Sequence, residues 1–260
     1  YNQYKQNKIN KMDSIQELTA KFLQIKEKGF VPNTRPNNQD GGIGNTLEDL
    51  LGIQENNLTQ ADFKDIEIKS QRLFNGSYIT LFSKAPTHPK LANNYLRETF
   101  GEVRQEEHSD KKILYASIFA HRQSTVYEKY KMSLQINHNQ QRLYLIVTDL
   151  NNKTLSNDIY WDFQTLQKAT QKLKNLLLAF ADTKNEDNQK YHRFTKAQLY
   201  LNFNFDKFLT ELQNGSIMFD IRIGVYNSGK SYGKTHDHGS GFRIKKENFH
   251  LLYNTTQTIE

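Results

Sequence analysis

The sequence predicts an α+β protein with strands and helices in mixed order. Three observations lead there. Strand-like runs follow one another without an intervening helix, as at 113–120, 130–136 and 142–150. Helical periodicity is restricted to a few short stretches, with no regular βα alternation. No segment repeats internally, so a solenoid is excluded.

The elements follow in order. Ser14 and Glu17 have capping-box spacing, and Ile15, Leu18, Phe22 and Ile25 continue at helical intervals. Two prolines and two glycines make 31–42 a loop. Thr46 is expected to cap a short helix to Leu51 that buries Leu47, Leu50 and Leu51. Residues 62–70 read as a strand, with SYITLFSK (77–84) as its hairpin partner and a proline-bounded loop holding Thr87, His88 and Lys90. After the three strands named above comes a helix from Phe163 to about Leu177, with Leu166, Ala169, Leu173 and Leu176 on one face. LLLAFADT (176–183) and FTKAQLYLNF (194–203) read as strands. A helix through Phe208, Leu209 and Leu212 stops at Gly215. The strand 217–226, a Gly/Lys/His loop at 227–241 and the strand 242–246 close the series.

Composition sets the bounds. The 260 residues suffice for one substantial domain or two small lobes. Thirty-five basic against 28 acidic side chains give a net charge of +7, which suits a polyanionic partner without requiring one. The absence of cysteine excludes disulfides, thiolate zinc sites and a cysteine nucleophile. No apolar run approaches the ~18–20 residues of a membrane span, and no signal peptide is visible. A cytoplasmic protein is expected. Residues 1–12 read as a polar tail or the remnant of a linker.

Chemistry concentrates in DFKDIEIKS, 62–70. Strand alternation puts Asp65, Glu67 and Lys69 on one face and Ile66 and Ile68 on the other, with Asp62 just before. A carboxylate and an amine two residues apart can converge on one small volume. The carboxylate can hold Mg²⁺, while the ammonium orients water and offsets charge on a phosphoryl oxygen. The plain alternative is a solvated strand face. For Glu48 it is an ordinary first-turn acid.

Two further motifs carry weight. GVYNSGKS (224–231) matches the P-loop pattern letter for letter, but glycines follow where the phosphate-cradling helix must start, so a nucleotide site is not expected. His236-Asp237-His238 lies among Lys230, Lys234 and Arg243. That cationic setting suits phosphate and base contacts better than a metal. Asp220 and Arg222 share a strand face and are expected to form a cross-strand ion pair. His88, His108, His121, His138, His192 and His250 lack ligand or triad spacing.

At GIGNTLEDLLG, ADFKDIEIKS and LFSKAPTHPK, and again at DIRIGVYNSGKSYGKTHDHGSGFRI, the sequence resembles the MvaI/BcnI family of type II restriction endonucleases. That family is related to the mismatch-repair nicking enzyme MutH. The resemblance is dense over 42–90 and 217–244 and looser between them. It implies a restriction-endonuclease-like core of the PD-(D/E)xK kind with two lobes forming a DNA-binding cleft. A catalytic lobe at 13–112 and a DNA-recognition lobe at 113–260 are expected. The implied active site is Glu48, Asp62, Glu67 and Lys69. Asp62, not the strand-parity candidate Asp65, takes the metal-binding position.

The resemblance also implies the cofactor and partner. One or two Mg²⁺ ions would be held by Asp62, Glu67 and the Ile68 carbonyl, with Glu48 holding a second ion or tuning the first. Lys69 would position the water. Asp220, Arg222, His236, Asp237, His238 and Arg243 would read bases, and Lys84, His88, Lys230 and Lys234 would join them on double-stranded DNA. The implied site is a short pseudopalindrome of the CCWGG or CCSGG kind. A monomer in the prokaryotic cytoplasm is expected, with a cognate DNA methyltransferase in the same system. Two other readings are a MutH-like repair nickase and a catalytically silent DNA-binding module. The second is disfavoured because all four active-site positions are filled.

Overall fold

The structure is a computed structural model describing residues 2–35, 42–53, 61–72, 78–103 and 111–260, the first twelve of these by backbone alone. In chain order it begins with helix α1 (Asn2–Glu27), strand β1 (Phe30–Pro32), α2 (Gly42–Leu51), β2 (Glu67–Arg72) and β3 (Tyr78–Phe82). Next come α3 (Ala92–Phe100), β4 (Glu102–Val103), β5 (Lys112–Ile118), β6 (Ser124–Val126) and β7 (Tyr130–Asn137). These lead to β8 (Arg142–Asp149), β9 (Thr154–Asp162), α4 (Phe163–Thr170), β10 (Asn175–Glu186) and β11 (Gln189–Phe203). The remainder is α5 (Phe205–Asn214), β12 (Ile217–Val225), β13 (Thr235–Asp237), β14 (Gly241–Lys245) and β15 (Tyr253–Ile259).

The chain forms two compact units, each discontinuous in sequence. The first comprises Tyr1–Gly76, Gln171–Asn204 and Tyr253–Glu260, and the second Ser77–Thr170 and Phe205–Leu252. The contiguous division expected at 112/113 differs from this. Segments far apart in sequence supply neighbouring strands of one sheet.

In the first unit the sheet order is β1-β11-β10-β2, with β15 also on β11. Only β2 and β10 run parallel, so the sheet is mixed. Leu176 to Ala181 are all buried, which is why that run is continuously apolar. One face carries Ile68, Leu177, Ala179, Phe194, Ala197 and Leu199, packed with Leu18, Phe22 and Ile25 of α1 and Leu47 and Leu51 of α2. By alternation Glu67 and Lys69 belong to the opposite face.

The second unit holds two antiparallel sheets. One has the order β3-β14-β12-β5-β4 with β13 also on β12, and the other is the meander β6-β7-β8-β9. Its core is aromatic. Trp161 meets Phe219 at 4.7 Å, Phe82 meets Phe242 at 4.9 Å, and Phe208 lies 5.6 Å from Phe242. The buried Trp161 indole donates to the Lys84 carbonyl at 2.8 Å, so its polar edge is satisfied.

Several expectations need correction. The 62–70 and 77–84 strands do not form a hairpin: β2 pairs with β10, and β3 pairs with β14. Each strand finds its apolar partner elsewhere. The helix from Phe163 ends at Thr170, and a 3₁₀ turn at Gln171–Leu173 leads directly into β10. Burial of Leu176 and Leu177 inside the sheet overrides their helical spacing. Thr46 is no cap. α2 starts at Gly42, and the buried Thr46 hydroxyl accepts from the Thr34 N–H and donates to Asn33 Oδ1, both at 3.3 Å. Ser14 does not begin a helix either, because α1 runs through it from Asn2 and takes in the expected polar tail. In the expected 31–42 loop, residues 36–41 lie outside the described residues, as does His108.

Candidate active site and nucleic-acid interface

A tight turn brings Asp62 back over β2. Phe63 and Ile66 exchange backbone hydrogen bonds at 2.9 and 2.8 Å, with Lys64 in the left-handed region at φ 54°. Asp62 Oδ2 then accepts the Ile68 N–H at 2.9 Å. Asp65, the strand-parity candidate, instead accepts from the Asn175 side chain at 2.8 Å. Turn geometry thus places Asp62 with Glu67 and Lys69, a placement that alternation along the strand does not reveal.

Glu67 is 3% exposed. Its Oε1 lies 3.4 Å from Lys69 Nζ and 3.0 Å from Lys172 Nζ. Its Oε2 is buried with no hydrogen-bond partner. Burial raises the Asp62 carboxyl above the ordinary range, and the neighbouring Glu67 charge adds to this against the Ile68 N–H. Burial lowers the Lys69 ammonium, with Lys172 pushing the same way and Glu67 opposing. Tyr253 on β15 is also buried beside Glu67, and both effects push its phenol well above the usual value.

These donors fit a hard divalent cation. A buried carboxylate oxygen without a partner, next to a second carboxylate destabilised by burial, is what an absent cation would leave behind. Glu48 is half-buried on α2, a helix that approaches β2 where Gly44 comes close to Ser70. Among the described residues no group of three or more His, Asp or Glu side chains is close enough to hold a metal. Asp62, Glu67 and Lys69 are brought together.

The second unit assembles the proposed base-reading residues. Asp220 on β12 is 5% exposed and accepts from Ser117 Oγ at 2.9 Å and Arg222 Nε at 2.6 Å. Arg243 Nε lies 3.1 Å from the same Oδ2 but is not aligned as a hydrogen bond. The expected cross-strand pair is therefore an i, i+2 pair within β12, with Arg243 of β14 beside it. Arg243 also donates to the Gly239 carbonyl at 3.0 Å. Arg222 and His238 help line an open cavity of about 630 Å³ with Tyr115, Ser117 and Asp220.

On β13, His236 stacks on Tyr226 at 4.2 Å and meets His238 edge-on at 4.3 Å. Asp237 is occupied locally, accepting from Asn93 Nδ2 at 2.9 Å and from the Gly239 and Ser240 N–H groups at 3.0 and 2.6 Å. A Cβ on Gly224 would lie 2.7 Å from His238 Nε2, so a larger residue there would displace that ring. No helix follows the P-loop-like letters. Gly229–Ser231 form one 3₁₀ turn before β13. Lys84, Lys230 and Lys234 are exposed, and the exposed His88 stacks on Tyr160 at 5.2 Å. Sequence reasoning missed Lys172, Tyr115 and Ser117. No spacing rule links them to the motifs they adjoin.

Comparison with known proteins agrees with this architecture. The MvaI/BcnI restriction endonuclease family matches over residues 19–253. The chain is similar to the restriction endonuclease MvaI in complex with its cognate DNA substrate, with 35% identity, a TM-score of 0.82, and coverage of 94% of this chain and 97% of that one. It is similar also to MvaI in the absence of DNA, with 34% identity, a TM-score of 0.62, and coverage of 95% and 98%. No curated protein sequence matches. The chain belongs to the MvaI/BcnI restriction endonuclease family.

Proposed function

We propose that this protein is a Mg²⁺-dependent endonuclease that cuts double-stranded DNA at a short pseudopalindrome of the CCWGG or CCSGG kind. The convergence of Asp62, Glu67 and Lys69, with one Glu67 oxygen buried and unpartnered, carries the reading. Asp62, Glu67 and the Ile68 carbonyl hold the ion, which when bound supplies Lewis acidity at the phosphoryl oxygen. Glu48 supports this ion or a second one. Lys69 holds the attacking water in line with the scissile bond, fixed beside Glu67 by an ion pair at 3.4 Å. Arg222, His236, His238 and Arg243 read base edges. Asp220 and Asp237 orient them, and Lys84, His88, Lys230 and Lys234 meet phosphates. The cognate methyltransferase of the same restriction–modification system protects the cytoplasm's own DNA.

One Asp62…Glu67-x-Lys69 centre per chain hydrolyses one phosphodiester at a time, so we propose a monomer that cuts the two strands in turn. A supercoiled plasmid with a single site, digested with Mg²⁺, should pass through an open circle before becoming linear. The rate should be first order in enzyme, and the sequenced ends should carry 5′-phosphates at one short site. Direct conversion to linear DNA by a stable dimer would refute the monomer. Open circles that never linearise would make the protein a strand-nicking enzyme, and uncut plasmid would refute the nuclease.

A further inference from the structure

Lys172 occupies none of the positions assigned so far, yet its Nζ is nearer to Glu67 Oε1 than Lys69 Nζ is, at 3.0 against 3.4 Å. It sits on the 3₁₀ turn Gln171–Leu173, anchored by the fully buried Leu173. That turn feeds β10, whose Leu176 is in register with Glu67 across the parallel pair. The Lys172 side chain is 32% exposed, against 18% for Lys69 and 4% for Glu67. Of the two ammonium groups on this carboxylate, Lys172 is therefore the outer one.

Charge gives this position a meaning. Asp62 and Glu67 balance Lys69 and Lys172 while no cation is bound. A divalent cation on the carboxylates leaves two surplus positive charges, and the ion competes with Lys172 for Glu67. An ammonium on a flexible, partly exposed stem can turn away from the buried carboxylate. Backbone phosphates of a polynucleotide offer the compensating negative charge.

We propose that Lys172 is a phosphate-binding residue of the cleavage centre. It is held by Glu67 in the metal-free protein and is bound to the DNA backbone once cation and DNA are in place. The proposal rests on the nuclease function proposed above.

The test is DNA binding by the full chain in Ca²⁺, which fills oxygen sites without supporting the chemistry. The probe is a duplex of the sequence at which the wild-type protein linearises a plasmid, titrated at several NaCl concentrations. Lys172→Ala should bind roughly tenfold more weakly. Its plot of log affinity against log salt should be shallower by about one, and Lys172→Arg should recover most of both. Calorimetric Ca²⁺ affinity without DNA should be undiminished in Lys172→Ala, because a competing ammonium has gone. Wild-type DNA affinity and salt slope in Lys172→Ala would overturn the proposal, as would loss of Ca²⁺ affinity together with a lowered Tm, which marks a purely structural lysine. If the wild-type protein cuts and binds DNA while Lys172→Ala matches it, only the role of Lys172 fails. If the wild-type protein does neither, both readings fail.

Discussion

In the proposed nuclease Glu67 would face two requirements at once: its side chain is buried, yet it would present oxygens to a cation. Two lysines on one of its oxygens make that burial tolerable, while the other oxygen has no hydrogen-bond partner and would face the proposed ion. Glu67→Ala and Lys69→Ala should each lower the cleavage rate by roughly 10³-fold or more while leaving sequence-specific binding in Ca²⁺. Single-turnover cleavage and gel-shift titration check this, and a Glu67→Ala protein cutting at the wild-type rate would refute the assignment. His192 makes a different prediction. It is 1% exposed, its Nδ1 pairs with Thr183 Oγ1 at 3.0 Å, and burial with nearby Arg72 and Lys190 pushes its pKa below 6.5. The unfolded chain therefore takes up a proton that the folded one refuses. This contribution is intact above about pH 6.5 and is lost as pH falls from there toward the folded value. Tm should drop on going from pH 7 to pH 5, and the drop should be smaller in His192→Asn. An equal drop in both proteins would remove His192 from the account. At this scale the sequence was partly readable. Glu67 and Lys69 followed from alternation and Asp62 from family resemblance, but its placement depends on a turn at Lys64 that periodicity does not encode.

Among elements, α3 shows how strand β13 is held. Arg97, 4% exposed, donates to Thr235 Oγ1 and to the Lys112 carbonyl, both at 3.1 Å, and pairs with Glu98. Thr235 in turn donates to Asn94 Oδ1 at 2.7 Å, and Asn93 holds Asp237. The three residues fix β13, and with it His236. Arg97→Met keeps much of the side-chain volume but removes the charged hydrogen bonds to Thr235 and to the half-buried Lys112 carbonyl, at about 1–3 kcal/mol. Tm should fall accordingly, and the ratio of specific to nonspecific DNA affinity should fall as well. A lowered Tm with an unchanged ratio would separate the brace from recognition. α3 itself was not read from the sequence. Its apolar positions Ala92, Leu96 and Phe100 are only three, and a proline-bounded loop precedes it. The strands β7, β8 and β12 were read within a residue or two. β15 was missed because NTTQT between Tyr253 and Ile259 is exposed and polar.

For the whole molecule, the mixed α+β class was legible, but the way its segments combine was not. Linear blocks of resemblance suggested contiguous lobes, whereas the unit carrying Glu67 draws its sheet from three separated stretches. Register across distant strands is set by burial in three dimensions, and one chain shows no record of it. β15 completes that sheet against β11, bringing the buried Tyr253 and Ile259 with it. A chain ending at Leu252 should lose hydrogen-exchange protection across β11 and fail to cut. The second unit, whose residues are all present, should stay protected. Uniform protection in the shortened chain would show that β15 is dispensable. The same strand sets an order during synthesis. Every residue of the unit bearing Arg222 and His236 leaves the ribosome before residues 253–259 do, while the unit bearing Glu67 still lacks an edge. In the proposed nuclease, the residues proposed to read bases would therefore be complete before the sheet that carries the proposed cleavage centre.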